Sequence, residues 1–390
     1  MYGRLSVAAL FKPGVFINRT ARKEGRPRRA ARTLISLEDA GLMTEKTIGF
    51  SVTLVIPVLN EAKCINALLD SIASQTHQPG EIIFVDGGST DGSVDLLREA
   101  EVKFDRSGFA GDRLKSAVRR PRLRVIEAGE ATPGRGRNIG IAAAANEWIA
   151  LTDAGIELDS EWLERLIEPA ARDESVRVVY GGYEAVIGNF FERCAALAYL
   201  APRRQRPGGL MRGPSIASAL IHRDVWTAVG GFPDIRAAED LFFMERVGKF
   251  NFKIGWAPSA IVRWRLRPTL ASTFKKFLLY SKHNVWAGRQ WDWHYGLARN
   301  YLAALPFVAL AIAHSRWWLI VPLLASFARV AKNIWERRDG RGVWWLLNPI
   351  QFVGAAVVIL VIDLASFAGW AQAALQENGS SKAEDQPAAS

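Results

Sequence analysis

Five acids and one Arg-Asn pair stand where a folded chain can do chemistry. Asp86 ends the apolar run IIFVD and is followed at once by the turn GGSTDGS, residues 87–93. A carboxylate at the C-terminal tip of a strand can bind a base or a ribose. The glycines after it, Gly88 among them, let the backbone approach a ligand closely. VTLVIPVLNE, residues 52–61, brings Pro57, Asn60 and Glu61 to a matching strand-to-turn junction. In TPGRGRNIGI, residues 132–141, Arg137 and Asn138 open a helix, and a helix N-terminus favours an anion such as a diphosphate. The glycines here are not a dinucleotide fingerprint, because they are spaced GxGxxxG and no suitable acid follows at the expected distance. Asp153 follows a further apolar run, and Glu239-Asp240 begins the stretch EDLFFMERV. Acids at a helix start are, taken alone, most simply favourable to the helix end itself.

The elements that must position these residues alternate. Strand patterns at 51–57, 81–85, 124–127 and 148–152 are separated by helical patterns at 61–74, 93–100 and 137–145. That spacing predicts an α/β fold, a doubly wound and mainly parallel sheet covered on both faces, with ligands at the carboxyl edge. Residues 104–121 are polar and arginine-rich and read as a surface insertion.

The order strand-PVLNE, helix, strand-VDGGSTDGS resembles the nucleotide-binding half of family 2 glycosyltransferases, which have the GT-A fold. The resemblance implies that Pro57, Asn60 and Glu61 border the nucleotide, that Asp86 contacts its base, and that Arg137 and Asn138 lie near the diphosphate. Such enzymes usually carry Asp-x-Asp after the fourth strand to hold a divalent cation. This chain has Thr152-Asp153-Ala154-Gly155, similar to a bacterial membrane-associated subgroup with the same TDAG. The resemblance therefore implies Asp153 as a metal ligand for Mg²⁺ or Mn²⁺, a case that Gly155 weakens because a hard cation wants several oxygens. GPSIASALIHRDVWTAVGGFPD, residues 213–234, resembles the acceptor-side strand and helix. Asp240 matches the second acid of the family's Glu-Asp pair and is the expected base that takes the acceptor proton, with Glu239 orienting the acceptor. In IVRWRLRPT, residues 261–269, Arg263 stands before Trp264 where relatives often have histidine. Arg263 is thus a candidate to stabilise the leaving diphosphate in place of a metal. Arg203, Arg204 and Arg212, in a Pro/Gly-rich loop, fit either a solvated surface or a grip on a donor or lipid phosphate. The resemblance runs over roughly residues 50–285 and implies an inverting transfer from a nucleotide-diphosphate sugar. A processive polysaccharide synthase is disfavoured because no Gln-x-x-Arg-Trp motif follows; a catalytically silent sugar-nucleotide binder stays open.

The remainder of the chain points to a membrane. Of 390 residues, 49% are hydrophobic, and the mean hydropathy is +0.03. This is high for a soluble enzyme and low for a polytopic transporter. Residues 269–300 read as amphipathic helices with Lys275, Lys276, Lys282 and Arg289 among aromatics, suited to a membrane interface. Two apolar runs, 301–314 and 317–330, form either one long span or a short hairpin, and 343–362 carries no formal charge. The basic residues Arg329, Lys332, Arg337, Arg338 and Arg341 prefer the cytoplasmic side, which favours the hairpin if the catalytic part is cytoplasmic. Nine of the 14 tryptophans lie after residue 280, as interfacial anchors would. The net charge is +11, of which residues 1–42 supply +6. With no zinc spacing or RNA-binding signature beside it, that excess points to lipid and phosphate partners and not to nucleic acid. Cys64 and Cys194 read as buried thiols in a reducing compartment. The expected organisation is a basic leader at 1–45 (a start-site artefact with Met43 as the true start, or a membrane-binding arm), and a GT-A domain at 46–265. Interfacial helices follow at 266–300, membrane helices at 301–375 and a disordered tail at 376–390. The expected setting is the inner, cytoplasmic membrane, with a lipid-linked or cell-envelope saccharide as acceptor.

Overall fold

A computed structural model describes residues 49–107, 121–346 and 348–376. The leader expected at 1–45, most of the insertion expected at 104–121 and the tail beyond 376 lie outside the described residues.

Eight strands form one sheet in the order β3-β2-β1-β4-β9-β6-β10-β5. These are β1 (Val52–Val58), β2 (Glu81–Asp86), β3 (Arg122–Glu127), β4 (Trp148–Leu151), β5 (Ile156–Leu158), β6 (Val176–Val186), β9 (Ala219–His222) and β10 (Lys253–Arg265). The first four are all parallel, with β2 and β4 on either side of β1. β9 then enters antiparallel between β4 and β6, and β5 runs antiparallel on the far edge of β10, so the second half of the sheet is mixed. β7 (Arg204–Arg206) and β8 (Gly209–Met211) pair only with each other as a small hairpin. Every residue of β2 is buried, as a strand covered by helices on both sides requires.

Those helices divide into two layers with separate apolar cores. On one face α1 (Ala62–Ala73), α2 (Ser93–Ser107), α4 (Trp162–Arg172) and α5 (Phe190–Tyr199) bury Ile65, Leu97, Trp162 and Leu197. On the other, α3 (Pro133–Ala143), α6 (Arg223–Ala228) and α7 (Glu239–Lys249) bury Ile141, Val225 and Phe243. The helix expected at 137–145 in fact begins four residues earlier. Thr132 Oγ1 accepts the Arg135 N–H at 3.1 Å, and Pro133 fills the first helical position, where its missing N–H costs nothing.

Beyond β10 the chain is helical. α8 (Leu270–Trp286) starts at a reciprocal cap between Thr269 and Ser272 and ends at Gly288, whose φ of +69° the helix cannot follow. α9 (Gln290–Ala313) is then continuous through residue 300, so the boundary expected there falls inside one helix. The two apolar runs make a hairpin: α9, a short turn at Arg316–Leu319, and α10 (Ile320–Glu336). After α11 (Val343–Leu346), the long α12 (Pro349–Leu375) follows. α9 and α12 are long and apolar enough to cross a membrane. α12 also packs on the α/β domain, burying Ala355, Val358 and Ile359 in the core shared with α5 and with Phe277 of α8. Asp363 in α12 takes Arg329 of α10 at 2.5 and 2.8 Å and the Tyr301 hydroxyl of α9 at 3.0 Å, a polar clasp joining all three helices.

Candidate functional site

The carboxyl ends of β1, β2 and β4 meet the N-terminus of α3 at the place where strand order reverses, beside β1. A cleft of about 490 Å³ opens there. Its walls include Pro57 near the end of β1 and Glu61 after it, Val85 and Gly87 around Asp86, Thr132 at the cap of α3 and Gly136 within it, and Asp153 and Gly155 after β4. This is the crevice in which open α/β sheets bind ligands.

Two loops are locked together on one side of it. The Asn60 N–H donates to Ser89 Oγ at 2.8 Å, and Asn60 Oδ1 accepts the Thr90 N–H at 2.8 Å. The Glu61 N–H donates to Ser93 Oγ at 2.9 Å. Asn60 holds a φ of +54°, a left-handed conformation that asparagine tolerates. Asp86 is 3% exposed. Its Oδ2 accepts the N–H groups of Gly88 and Ser89 at 2.9 and 3.0 Å, which closes the turn. Its Oδ1 is buried and finds no partner among the described residues. A buried acceptor without a donor is costly, and a ligand hydroxyl or ring N–H would satisfy it. Burial, and next to it the Glu61 carboxylate, push the Cys64 thiol up, so Cys64 is a neutral neighbour of the cleft.

Behind the cleft floor runs a chain of charge. Arg137 is completely buried; its Nη2 donates to Asp153 Oδ1 at 2.6 Å and its Nη1 to Glu239 Oε1 at 3.3 Å. The guanidinium thus faces two protein carboxylates and does not line the open cleft. The glycines of α3 allow this closeness. A methyl on Gly134 would overlap the Pro233 carbonyl and press on Glu239, and one on Gly140 would overlap Val55. Glu239 and Asp240 form the first turn of α7 after Ala238, which takes the cap position with φ +68° and no side-chain cap bond. The acids are therefore not the cap itself, and Asp240 Oδ1 accepts the N–H of Leu241 at 2.9 Å. An alanine held in the left-handed region beside two buried acids is the kind of local strain that collects at functional sites. No sequence signal announces it.

Other expected site residues lie elsewhere. Asn138 is not at the cleft: its side chain takes the Trp226 Nε1–H and the Phe232 N–H, both at 2.9 Å, and donates to the Phe232 carbonyl at 2.7 Å. It fastens α3 to the turn before α7. Arg263, the expected stand-in for a metal, is clamped by both oxygens of Asp159 at 2.5 and 2.9 Å on the β10–β5 edge. Trp264 is buried against Tyr183. Arg203 and Arg212 are held by Glu184 and Asp339, and Arg204 is exposed on the small hairpin. Arg263, Trp264, Arg203 and Arg212 do not line the cleft because nearby carboxylates and packing hold them on the opposite half of the sheet, and Arg204 on the hairpin does not line it either. Thr132, which lines the cleft and donates to Asp234 Oδ1 at 2.6 Å, was missed. The Thr-Pro dipeptide at a helix start was the available signal.

Among the described residues no cluster of three or more His, Cys, Asp or Glu side chains is placed to hold a metal. Two carboxylates do line the cleft, Asp153 and Glu61. Glu61 oxygens lie 3.4 and 3.6 Å from where a side chain on Gly155 would begin, so Glu61 stands beside the place of the missing second acid. Two carboxylates facing a diphosphate fit a hard cation that takes its remaining oxygens from phosphate and water.

Residues 53–224 match the family model described as glycosyl transferase family 2. That span contains the cleft walls but stops short of Glu239 and Asp240. Among curated proteins, the chain is similar to the succinoglycan biosynthesis protein ExoA of Rhizobium meliloti, at 24% identity over 84% of this chain and 96% of the other. It is also similar to the O-antigen chain rhamnosyltransferase RfbN of Salmonella typhimurium, at 22% identity over 71% and 87%. Among solved structures, the mannosyltransferase PcManGT from Pyrobaculum calidifontis, in complex with GDP-Man and Mn2+, matches with a TM-score of 0.49 and 21% identity over 80% of this chain and 88% of the other. The α/β sheet with its C-terminal helices is the GT-A arrangement that the motifs implied.

Proposed function

We infer that this chain is a glycosyltransferase, a reading its match to the family 2 model over residues 53–224 supports, and that it moves a sugar from a nucleotide-diphosphate donor bound in the cleft beside Asp153 to a hydroxyl of an acceptor presented at the membrane. The observation that carries this reading is the unbroken line Asp153–Arg137–Glu239, with Asp240 next in the chain, behind a cleft lined by Asp153 and Glu61; the buried, unpartnered Asp86 oxygen belongs to the residue between the cleft-lining Val85 and Gly87.

In the proposed reaction Asp86 Oδ1 accepts a hydrogen bond from the base or ribose, and the locked loops at Asn60 and Ser89 keep that edge rigid. Asp153 and Glu61 would hold a Mg²⁺ or Mn²⁺ ion, which supplies positive charge to the leaving diphosphate. Arg137 fixes Asp153 and Glu239 in one geometry from beneath. The acceptor oxygen attacks the anomeric carbon as Asp240 takes its proton. The bond to the nucleoside diphosphate breaks with its electron pair going to the phosphate oxygen, giving inversion in one step. ExoA is named for succinoglycan biosynthesis and RfbN for the O-antigen chain, which supports a lipid-linked or envelope saccharide as acceptor. The basic connection after α10, on the catalytic side of the hairpin, supports a cytoplasmic catalytic domain at the inner membrane.

The test is Asp240→Asn in the full chain, with donor binding and transfer measured separately. We expect donor affinity within about threefold of wild type and transfer lower by at least ~10²-fold, the usual size of a general-base contribution. Transfer retained in the variant would exclude Asp240 as the base; no donor binding or turnover with any nucleotide sugar, by the wild type itself, would remove the whole reading.

A further inference from the structure

A second cavity, of about 670 Å³, lies between α5 and the connection that leads from α10 to α12. It shares no lining residue with the donor cleft. Five arginines border it, Arg193, Arg212, Arg337, Arg338 and Arg341, against one acid, Asp339. Arginines crowd together in this way only where something compensates their mutual repulsion.

The protein supplies only part of that compensation. Arg212 is satisfied by Glu184 at 3.0 Å, Asp339 at 3.3 Å and the Ala201 carbonyl. Arg337 donates to the Leu200 carbonyl and to Asn333, and burial first, then the charge of Arg212, hold its guanidinium down to about 10 in spite of Glu336. Arg338 and Arg341 are oriented by rings: Arg338 lies 3.6 Å over Trp335 and gives one Nη1 bond to the Trp335 carbonyl at 2.8 Å, and Arg341 lies 4.7 Å over Trp345. Stacking fixes a guanidinium plane while leaving its edge donors for an anion, and arginine is the residue whose fork matches phosphate oxygens.

The rest of the wall is apolar: Ile187, Leu197, Leu200 and Trp345. Of these, Ile187 is 46% exposed. The connection joins α10 to α12, the second of the two helices able to cross a membrane, so the mouth sits where headgroups would lie. An anionic head with an apolar chain behind it satisfies both halves of this lining; a free anion satisfies only one.

We propose that the cavity between α5 and the 337–345 connection is a binding site for the phosphate headgroup of a membrane lipid, with Arg338, Arg341 and Arg193 on the phosphate and Ile187, Leu197 and Trp345 along the first part of the chain. The proposal does not depend on the donor or on the transfer reaction.

Full-length protein in an uncharged detergent is titrated with dihexanoyl phosphatidic acid, with dihexanoylglycerol and with inorganic phosphate, and binding is read from tryptophan fluorescence and from the thermal midpoint. We expect saturable binding of the phosphatidic acid, and at least ~10-fold weaker binding of each of the other two, since each lacks one half of the ligand. Arg338→Gln/Arg341→Gln removes two charged hydrogen-bonding groups and should weaken the phosphatidic acid by at least ~10-fold, leaving nucleotide binding at the first cleft unchanged. Arg193→Gln, on the opposite wall, is the second variant should the first unfold. Equal affinity in the variants, or dihexanoylglycerol as tight as the phosphatidic acid, overturns the phosphate site. Inorganic phosphate as tight as the phosphatidic acid overturns the lipid as its source.

Discussion

Arg137 has no exposed surface and two carboxylate partners, Asp153 on the cleft and Glu239 behind it. Removing the cation leaves two acids facing each other in a poorly solvated space, and breaking a buried pair costs about 3–5 kcal/mol. Arg137→Met should therefore lower unfolding stability by about that amount in denaturant titration and abolish transfer. Arg137→Lys should restore part of the stability and little transfer, because one ammonium cannot span both carboxylates as a guanidinium fork does. Lys276 is the opposite case: it is 8% exposed, and burial first, then Arg267, bring its ammonium down to about 7. The faces of Trp264, Tyr280 and Tyr199 at 5.0 to 5.8 Å favour the cation. Such contacts are worth about 0.5–2 kcal/mol, less than the several kcal/mol of burying an ion. Between about 7 and the ordinary lysine value of 10.5 the unfolded chain holds a proton that the folded one lacks, so stability rises with pH through that window. Lys276→Met should raise the thermal midpoint most at pH 6–7 and progressively less toward pH 10; an increment independent of pH would show that the rings hold the charge. At this scale the sequence placed Asp86 and Asp153 at strand ends, because each closes an apolar run. It could not reveal that Arg137 is buried between acids 16 and 102 positions away, because that depends on how α7 arrives over α3.

The parallel half of the sheet was legible as elements to within a few residues, since period, turn glycines and apolar runs agree there. The edge strand β5 was not, and the strand expected within 213–234 gave no sign that β9 would enter antiparallel between β4 and β6, because a short apolar run carries no mark of its direction or partner. The helices after β10 were legible as apolar stretches but not as boundaries: Gly288 divides α8 from α9, and charged Asp363 continues α12 because Arg329 and Tyr301 receive it. α3 shows how an element reads differently once packed. An alanine at Gly140 would ordinarily stabilise a helix by about 0.5–1 kcal/mol. Here its methyl would overlap Val55, which is fully buried in β1. Overpacking a tight core costs about 1–3 kcal/mol, so the sign reverses. We expect Gly140→Ala to lower the thermal midpoint and to weaken donor binding by shifting α3 away from the cleft; a rise in the midpoint would mean that β1 and α3 separate without cost.

As a whole the molecule is less divisible than its sequence suggests. A boundary at 265 separates the eight-stranded sheet from the helices in composition, yet Phe277 of α8, Val330 and Ile334 of α10 and Ala355 of α12 share one core with α5 and with Trp264 of β10. The tip of the hairpin is different. Leu302, Leu305, Ile312, Leu323, Leu324 and Phe327 are all more than half exposed, and no side chain from 302 to 328 is buried. The two ends of that segment nevertheless meet, because Tyr301 and Arg329 bind the same Asp363 oxygen at 3.0 and 2.5 Å. A flexible Gly/Ser linker of about 6–8 residues reaches roughly 12–17 Å on average, enough to join them. Replacing residues 302–328 by such a linker removes the exposed apolar surface and keeps the clasp and the core. Apolar burial contributes about 25 cal/mol per Å², so losing this surface should weaken membrane attachment more than folding. We expect the shortened chain to keep its nucleotide affinity and a cooperative melt, while moving from the membrane pellet toward the soluble fraction in alkaline extraction. If the shortened chain melted without cooperativity or lost nucleotide binding, the hairpin would be part of the fold, and the exposure of its side chains would have to be covered by something other than lipid.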